Sequence, residues 1–215
     1  YEISLGLVGS EMCIRDSDKT LQLIGRRHSV KDFYNAYELV RKSRIPVVNV
    51  DLIIGLPQET EQEIAYSLEQ AVKLAPENLT VHTLTLKRSA PLFQKQEQAV
   101  LTTQAAEKMV QRAAEMAAAI GLEPYYLYRQ HYMLGHLANI GYAKPGTESI
   151  YNIQMMEERH PVIGVGPASA SKVPLPDGHH LHKLNMPKNV AVYGARLQEL
   201  AERRRDLFNI EGTDL

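Results

Sequence analysis

The chain reads as an α/β protein built on parallel strands, and three observations predict it. A short, β-branched, nearly continuous apolar run, "VVNVDLIIGLP", has the character of a strand buried on both faces. A capped amphipathic helix and a second strand, "NLTVHTLTLKR", follow at the spacing of a crossover unit. A further helix and the strand-like "EPYYLYRQ" repeat that step, and two such steps in succession argue for parallel pairing.

Taken in order, residues 32 to 43 place Phe33, Tyr37 and Val40 at helical spacing, with Ser29 positioned as the cap. The first strand follows and stops at Gly55 and Pro57. In the next helix Thr60 caps and Glu63 completes a capping box, with Ile64, Leu68, Ala71, Val72 and Ala75 on one face. The second strand alternates Leu79, Val81 and Thr83 with Thr80, His82 and Leu84. An alanine-rich helix runs from about Thr102 to Ile120 and closes at Gly121. Beyond "EPYYLYRQ", the stretch "HYMLGHLANIGYAKPG" reads as a loop with helical turns, and "SIYNIQMMEE" and "HPVIGVGPASASKV" as strands. "VPLPDGHHLHKL" reads as a hairpin turning at Asp177-Gly178, and Val190 to Leu207 as one helix. No repeat, low-complexity tract or dividing linker interrupts the series.

Composition narrows the function classes. The 215 residues are 44% hydrophobic, enough for one large core, and 24 Lys+Arg against 25 Asp+Glu leave a net charge of -1. That balance offers no field for nucleic acid or an anionic membrane. No apolar run reaches membrane-spanning length, so the reading is a cytoplasmic protein. One cysteine, Cys13, excludes an intramolecular disulfide and any all-cysteine metal site made by this chain alone.

Asp51 is the most informative residue on physical grounds. A carboxylate among Val, Leu and Ile costs several kcal/mol unless paired, which predicts a place at the carboxyl end of its strand, facing a partner or a ligand. The structural alternative is a carboxylate bonded to local backbone amides. Arg26 in "LIGRRH" is either an anion-binding fork or a solvated helix arginine. "GVGPAS" lacks the spacing of a dinucleotide fingerprint, and its glycines serve equally for close backbone approach. His179, His180 and His182 flank the hairpin turn with no carboxylate or cysteine at a supporting interval, which argues against a metal there. On a regular strand Tyr126 and Tyr128 share a face and Tyr125 takes the other, with core packing or a stacked flat ligand as the two uses.

The segments "DKTLQLIGRRHSVKDFYNAY", "VNVDLIIGLPQET", "NLTVHTLTLKRSAPLF", "PYYLYRQHYMLGHLANIGYAKPG" and "YNIQMMEER" together resemble the radical S-adenosylmethionine enzymes of the oxygen-independent coproporphyrinogen III oxidase family. The resemblance is to the Firmicutes-type oxidase-like branch and runs from Asp18 to Lys172. It implies the C-terminal part of a partial (β/α) barrel whose strand ends hold S-adenosylmethionine and a [4Fe–4S] cluster. The implied activity is oxidative decarboxylation of coproporphyrinogen III to protoporphyrinogen IX, with an electron donor for the cluster. It also implies that Arg26 and Asp51 bind S-adenosylmethionine and, as looser matches of differing residue type, Thr85 and Ala170. The family's three cluster cysteines have no counterpart, since Cys13 stands alone. "GLVGSEMCIRDS" looks like a translated adapter peptide, so residues 1 to 17 read as an assembly artefact and 18 to 215 as the later, by itself inactive, portion of the enzyme. Chaperone relatives share "DLIxGLPxxT", so a heme carrier is the rival reading, and a small-ligand-binding α/β domain a third.

Overall fold

Helix starts follow local capping chemistry. In the computed structural model, which describes residues 17–84, 101–129, 137–178 and 180–209, Ser17 caps a short helix, α1 (Asp18–Leu23). Ser29 caps α2 (Val30–Lys42) and Thr60 caps α3 (Glu61–Lys73), each as a full capping box. Asp32 and Glu63 return a carboxylate to the cap's own backbone N–H, so two otherwise orphaned donors are satisfied at each start. Ala75, placed by the sequence pattern on the α3 face, instead lies past the helix end with φ 49°.

Strand β1 (Asn49–Ile54) pairs in parallel with β2 (Asn78–Thr83) across the α3 crossover, as predicted. After α4 (Thr103–Ala119), capped by Thr102, comes β3 (Glu123–Tyr128). It does not pair with β2. A fourth strand, β4 (Asn139–Ala143), lies antiparallel to both, and the order is β1-β2-β4-β3. The sheet is therefore mixed. β3 keeps the direction of β2 but stands one strand away, because "NIGYA", read as loop, fills the gap. Residues 131–136 of that predicted loop lie outside the described residues.

Alternation along β1 and β2 sorts their side chains onto two faces. Val50, Leu52, Ile54, Leu79 and Val81 are fully or almost fully buried in one cluster with Ile64 and Leu68 of α3, Ala106, Ala113 and Ala117 of α4, and Phe33 and Tyr37 of α2. Each such Leu or Ile contributes about 1.5–3 kcal/mol of burial, so this face carries the stability of the sheet. At the amino ends of the strands, the Arg41 guanidinium donates to Glu77 (2.7 Å), which also accepts the Val48 N–H (3.0 Å), tying α2 to both strands.

The chain divides into two compact units, through Ile153 and from Gln154 onward. The division falls inside a helix, α5 (Ile150–Glu157), where a strand was predicted. Ser149 explains the difference: its hydroxyl accepts the Asn152 N–H (3.3 Å) and its carbonyl accepts the Ile153 N–H (3.1 Å), which starts a helix from a run rich in β-formers. In the second unit β5 (Ala170–Pro174) and β6 (Leu181–Asn185) form the predicted hairpin. Gly178, with φ 70°, sits in its turn, and the Asp177 carboxylate accepts the His180 N–H (3.0 Å). Of the strand predicted over residues 160 to 173, the end forms as part of β5, and the earlier part contributes only a bridge between Val162 and Lys172. The last predicted helix is two, α6 (Val190–Ala195) and α7 (Leu197–Phe208), broken at Arg196. Leu200 of α7 packs on Leu184 and Met186. Among the described residues no helix is long and apolar enough to cross a membrane.

Candidate functional site

The second face of the sheet is polar. Register places Asp51 beside Thr80, Thr80 beside Gly141, and Gly141 beside Tyr126, one rung crossing all four strands. Asn49 and His82 extend the same face by one alternation on either side, opposite Asn78 and Ile53 respectively. These are the positions that alternate with the core residues, so a sequence that buries Val50 and Leu52 against helices must turn Asn49 and Asp51 the other way.

Asp51 is only 7% exposed. It is the third residue of β1 rather than its last, so the predicted place at the strand's carboxyl end is corrected: the sheet face, not the strand end, receives the charge. Two neighbours offset its burial. The Asn49 amide donates to Oδ1 (2.6 Å), and the Asn49 carbonyl oxygen in turn accepts the Thr80 hydroxyl (3.1 Å). Oδ2 faces Nε2 of His82 at 3.9 Å, beyond direct hydrogen-bond reach. Among the described residues, one carboxylate oxygen is thus held by the protein, and the other is left toward a partly exposed imidazole. Asn49, Thr80 and His82 were not singled out from the sequence. Their signal was period-two alternation in step with Asp51, legible only once the two strands are paired.

The tyrosines border this site. The β3–β4 register shifts between Pro124 and Tyr126, which leaves Tyr125 as the extra residue of a bulge. Tyr125 and Tyr126 then meet edge-to-face at 4.9 Å, and the Asp51 charge acts on both phenols. The predicted opposition of Tyr125 to Tyr126 is corrected by that bulge. Burial, opposed by a hydrogen bond to Thr80, pushes the Tyr126 phenol up to about 12. The Tyr125 hydroxyl accepts the Asn152 amide (3.0 Å), and burial raises its phenol too. Gly141 makes room for the arrangement: a Cβ there would overlap the Tyr126 ring.

The loop after β1 is shaped by a second buried carboxylate, Glu59, 3% exposed, which accepts the N–H groups of Gly55 (3.2 Å) and Leu56 (3.1 Å). This is the local structural use that the sequence had offered as the alternative for Asp51. Glu59, not Asp51, takes it.

Arg26 lies in the turn after α1, exposed, its N–H bonded to the Leu21 carbonyl (2.8 Å); no side-chain bond joins it to Asp51 among the described residues. Thr85 falls outside the described residues. Ala170 opens β5 in the second unit, where a Cβ on Gly164 would meet its backbone at 2.5–2.8 Å. "GVGPAS" therefore owes Gly164 to close backbone approach. His180 is paired with Asp177 (2.7 Å) and His182 is exposed on β6, while His179 lies outside the described residues. No group of three metal-ligating side chains forms among the described residues.

The donor set around Asp51 fits the polar part of an adenosyl ligand, with a buried carboxylate as acceptor and an imidazole beside it. An iron–sulfur cluster does not fit this chain. Such clusters are held by several thiolates, and the sequence contains one cysteine.

No protein-family model matches the chain. It is 39% identical over 188 residues to the oxygen-independent coproporphyrinogen-III oxidase-like protein HemZ of Bacillus subtilis, a match covering 87% of this chain and 38% of that protein. Over 165 residues it is 26% identical to the heme chaperone HemW of Escherichia coli, covering 77% of this chain and 40% of the relative. Its fold superposes with a TM-score of 0.61 on the coproporphyrinogen III oxidase HemN of Escherichia coli, described as a radical SAM enzyme, at 18% identity over 88% of this chain and 43% of that one. The chain spans about two fifths of the length of the curated relatives it matches. The identity to HemZ over most of this chain, with a shared α/β fold, makes the chain similar to the later part of the oxygen-independent coproporphyrinogen III oxidase-like proteins.

Proposed function

We propose that the chain is the later part, residues 18 to 215, of a radical S-adenosylmethionine oxidoreductase that decarboxylates coproporphyrinogen III to protoporphyrinogen IX without oxygen. The observation that carries the reading is Asp51: a carboxylate buried on a polar sheet face, one oxygen held by Asn49 and the other turned to an open neighbour. In this reading Asp51 and Arg26 bind S-adenosylmethionine, and Thr85 and Ala170 flank it. Asp51 holds polar hydrogens of the ligand, and Tyr125 and Tyr126 wall the same face against water. S-adenosylmethionine supplies the adenosyl group. The cluster's thiolate ligands are not among this chain's residues; the cluster, its electron donor and the porphyrinogen complete the assembly proposed for the whole protein.

The heme-carrier reading is favoured by the match to HemW over 77% of the chain. An anaerobic assay of the full-length gene product with coproporphyrinogen III, S-adenosylmethionine and a reductant separates the two. Vinyl-bearing product is the expected outcome, and tight heme capture without decarboxylation would overturn it in favour of the carrier.

A further inference from the structure

We propose that His82 and Asp51 form a two-sided seat for a single ligand hydroxyl, and that His82 is a binding residue of this site. The inference rests on the reading of Asp51 as a contact of the adenosyl ligand and adds what the 3.9 Å gap between Asp51 Oδ2 and His82 Nε2 selects. That gap is too long for a hydrogen bond between the two side chains and fits one oxygen at ordinary bonding distance from each. With the His82 proton on Nε2, the tautomer this proposal takes, the atom that occupies the gap donates to the carboxylate, which only accepts, and accepts from the imidazole N–H. A hydroxyl does both. An ammonium group donates but cannot accept, so the seat chooses a ribose hydroxyl over the ligand's amino group.

Three features hold the seat in place. Asn49 binds Oδ1 at 2.6 Å and is itself held by the Thr80 hydroxyl at 3.1 Å, so the carboxylate cannot turn its open oxygen away from His82. Asp51 and His82 stand on paired neighbouring strands, one alternation apart on the same face, which sets their separation through the backbone. The His82 side chain is 33% exposed against 10% for that of Asp51, so a ligand reaches the imidazole while the carboxylate stays largely out of water.

The test is equilibrium dialysis of the full chain with S-adenosylmethionine and with its 2′-deoxy and 3′-deoxy forms, using wild type, Asp51→Asn, His82→Phe and His82→Gln. His82→Phe should weaken S-adenosylmethionine about tenfold or more, as expected for a hydrogen bond in a charged site, and His82→Gln, which keeps a donor, should recover most of it. One deoxy form should bind wild type as weakly as S-adenosylmethionine binds His82→Phe, and should be indifferent to that substitution. Equal binding by wild type and His82→Phe, with loss in Asp51→Asn, overturns the seat and leaves the Asp51 reading standing. A loss in His82→Phe that is equal for all three ligands, or full-strength binding of both deoxy forms, also overturns it. Equal binding by wild type and Asp51→Asn, or no binding by any protein, sinks the underlying reading with it.

Discussion

Alternate residues of β1 and β2 live in opposite chemistries. Val50, Leu52, Ile54, Leu79 and Val81 press against three helices, while Asn49, Asp51, Thr80 and His82 project from the same backbone onto a polar face. Both sides keep water away from some side chains, but by different means. On the helix face, exclusion is hydrophobic and non-directional, so neighbouring residues tolerate volume-conserving exchange. On the polar face, Asp51 is buried only because Asn49 and Thr80 are oriented to serve it, and the service stops short of Oδ2. Glu59, in the adjacent loop, shows a different use of a buried carboxylate: its Oε2 accepts two backbone amides and fixes the loop. The contrast teaches that on β1 stability and ligand binding are separable at single-residue resolution.

The hardest test of that separation is Leu52→Ala. It should cost about 3 kcal/mol in urea unfolding, the range for a large-to-small change in a closed core, and leave the affinity of the folded protein for S-adenosylmethionine unchanged. Gly141→Ala should cost about 2 kcal/mol, since its Cβ enters the Tyr126 ring and overpacking carries that penalty. Combining it with Tyr126→Ala should recover part of the loss, and strict additivity of the two would break the claimed contact. Asp51→Asn should move unfolding by less than about 1 kcal/mol, because the amide oxygen still accepts from Asn49. It should nonetheless abolish most ligand binding. A large loss of stability there would erase the distinction between the faces.

The smallest expected effect is a pH dependence. The Tyr126 phenol is raised in the folded protein to about 12 from its ordinary 10, chiefly by burial. The folded state therefore binds more protons than the unfolded state between those values. Its contribution is fully present below about 10 and is lost as the pH rises toward 12. Wild type should lose stability across that window more steeply than Tyr126→Phe, as followed by urea midpoints. Parallel curves would remove Tyr126 from the buried wall of the site.

Much of the fold was legible in the sequence where the information is local. Ser29 and Thr60 act within three residues of themselves, and α2 and α3 begin where those caps predict. The parallel pairing of β1 and β2 followed from the length of the crossover between them. Within the sheet, what was misjudged depended on partners far along the chain, whereas at Ser149 a local cap was overlooked. β4 is a strand because β2 and β3 each offer it a free edge, and Gly141 is tolerated in it because Tyr126 covers the spot. Tyr125 changes face because a bulge absorbs one residue of register. Of the site, Asp51 stood out as an unpaired charge in an apolar run, whereas Asn49, Thr80 and His82 carried no signal until pairing brought them together.

The order of residues alone determined the capped helices, the two parallel strands with their crossover, the single cysteine that cannot hold a cluster, and the need of Asp51 for company. Tertiary structure decided where that company comes from, which oxygen it satisfies, and that the charge sits on a sheet face rather than at a strand end. The physical reason is range. Caps and periodicities are settled by neighbours within a turn or two, but the surroundings of a buried carboxylate are set by strands whose register closes only when the whole sheet assembles.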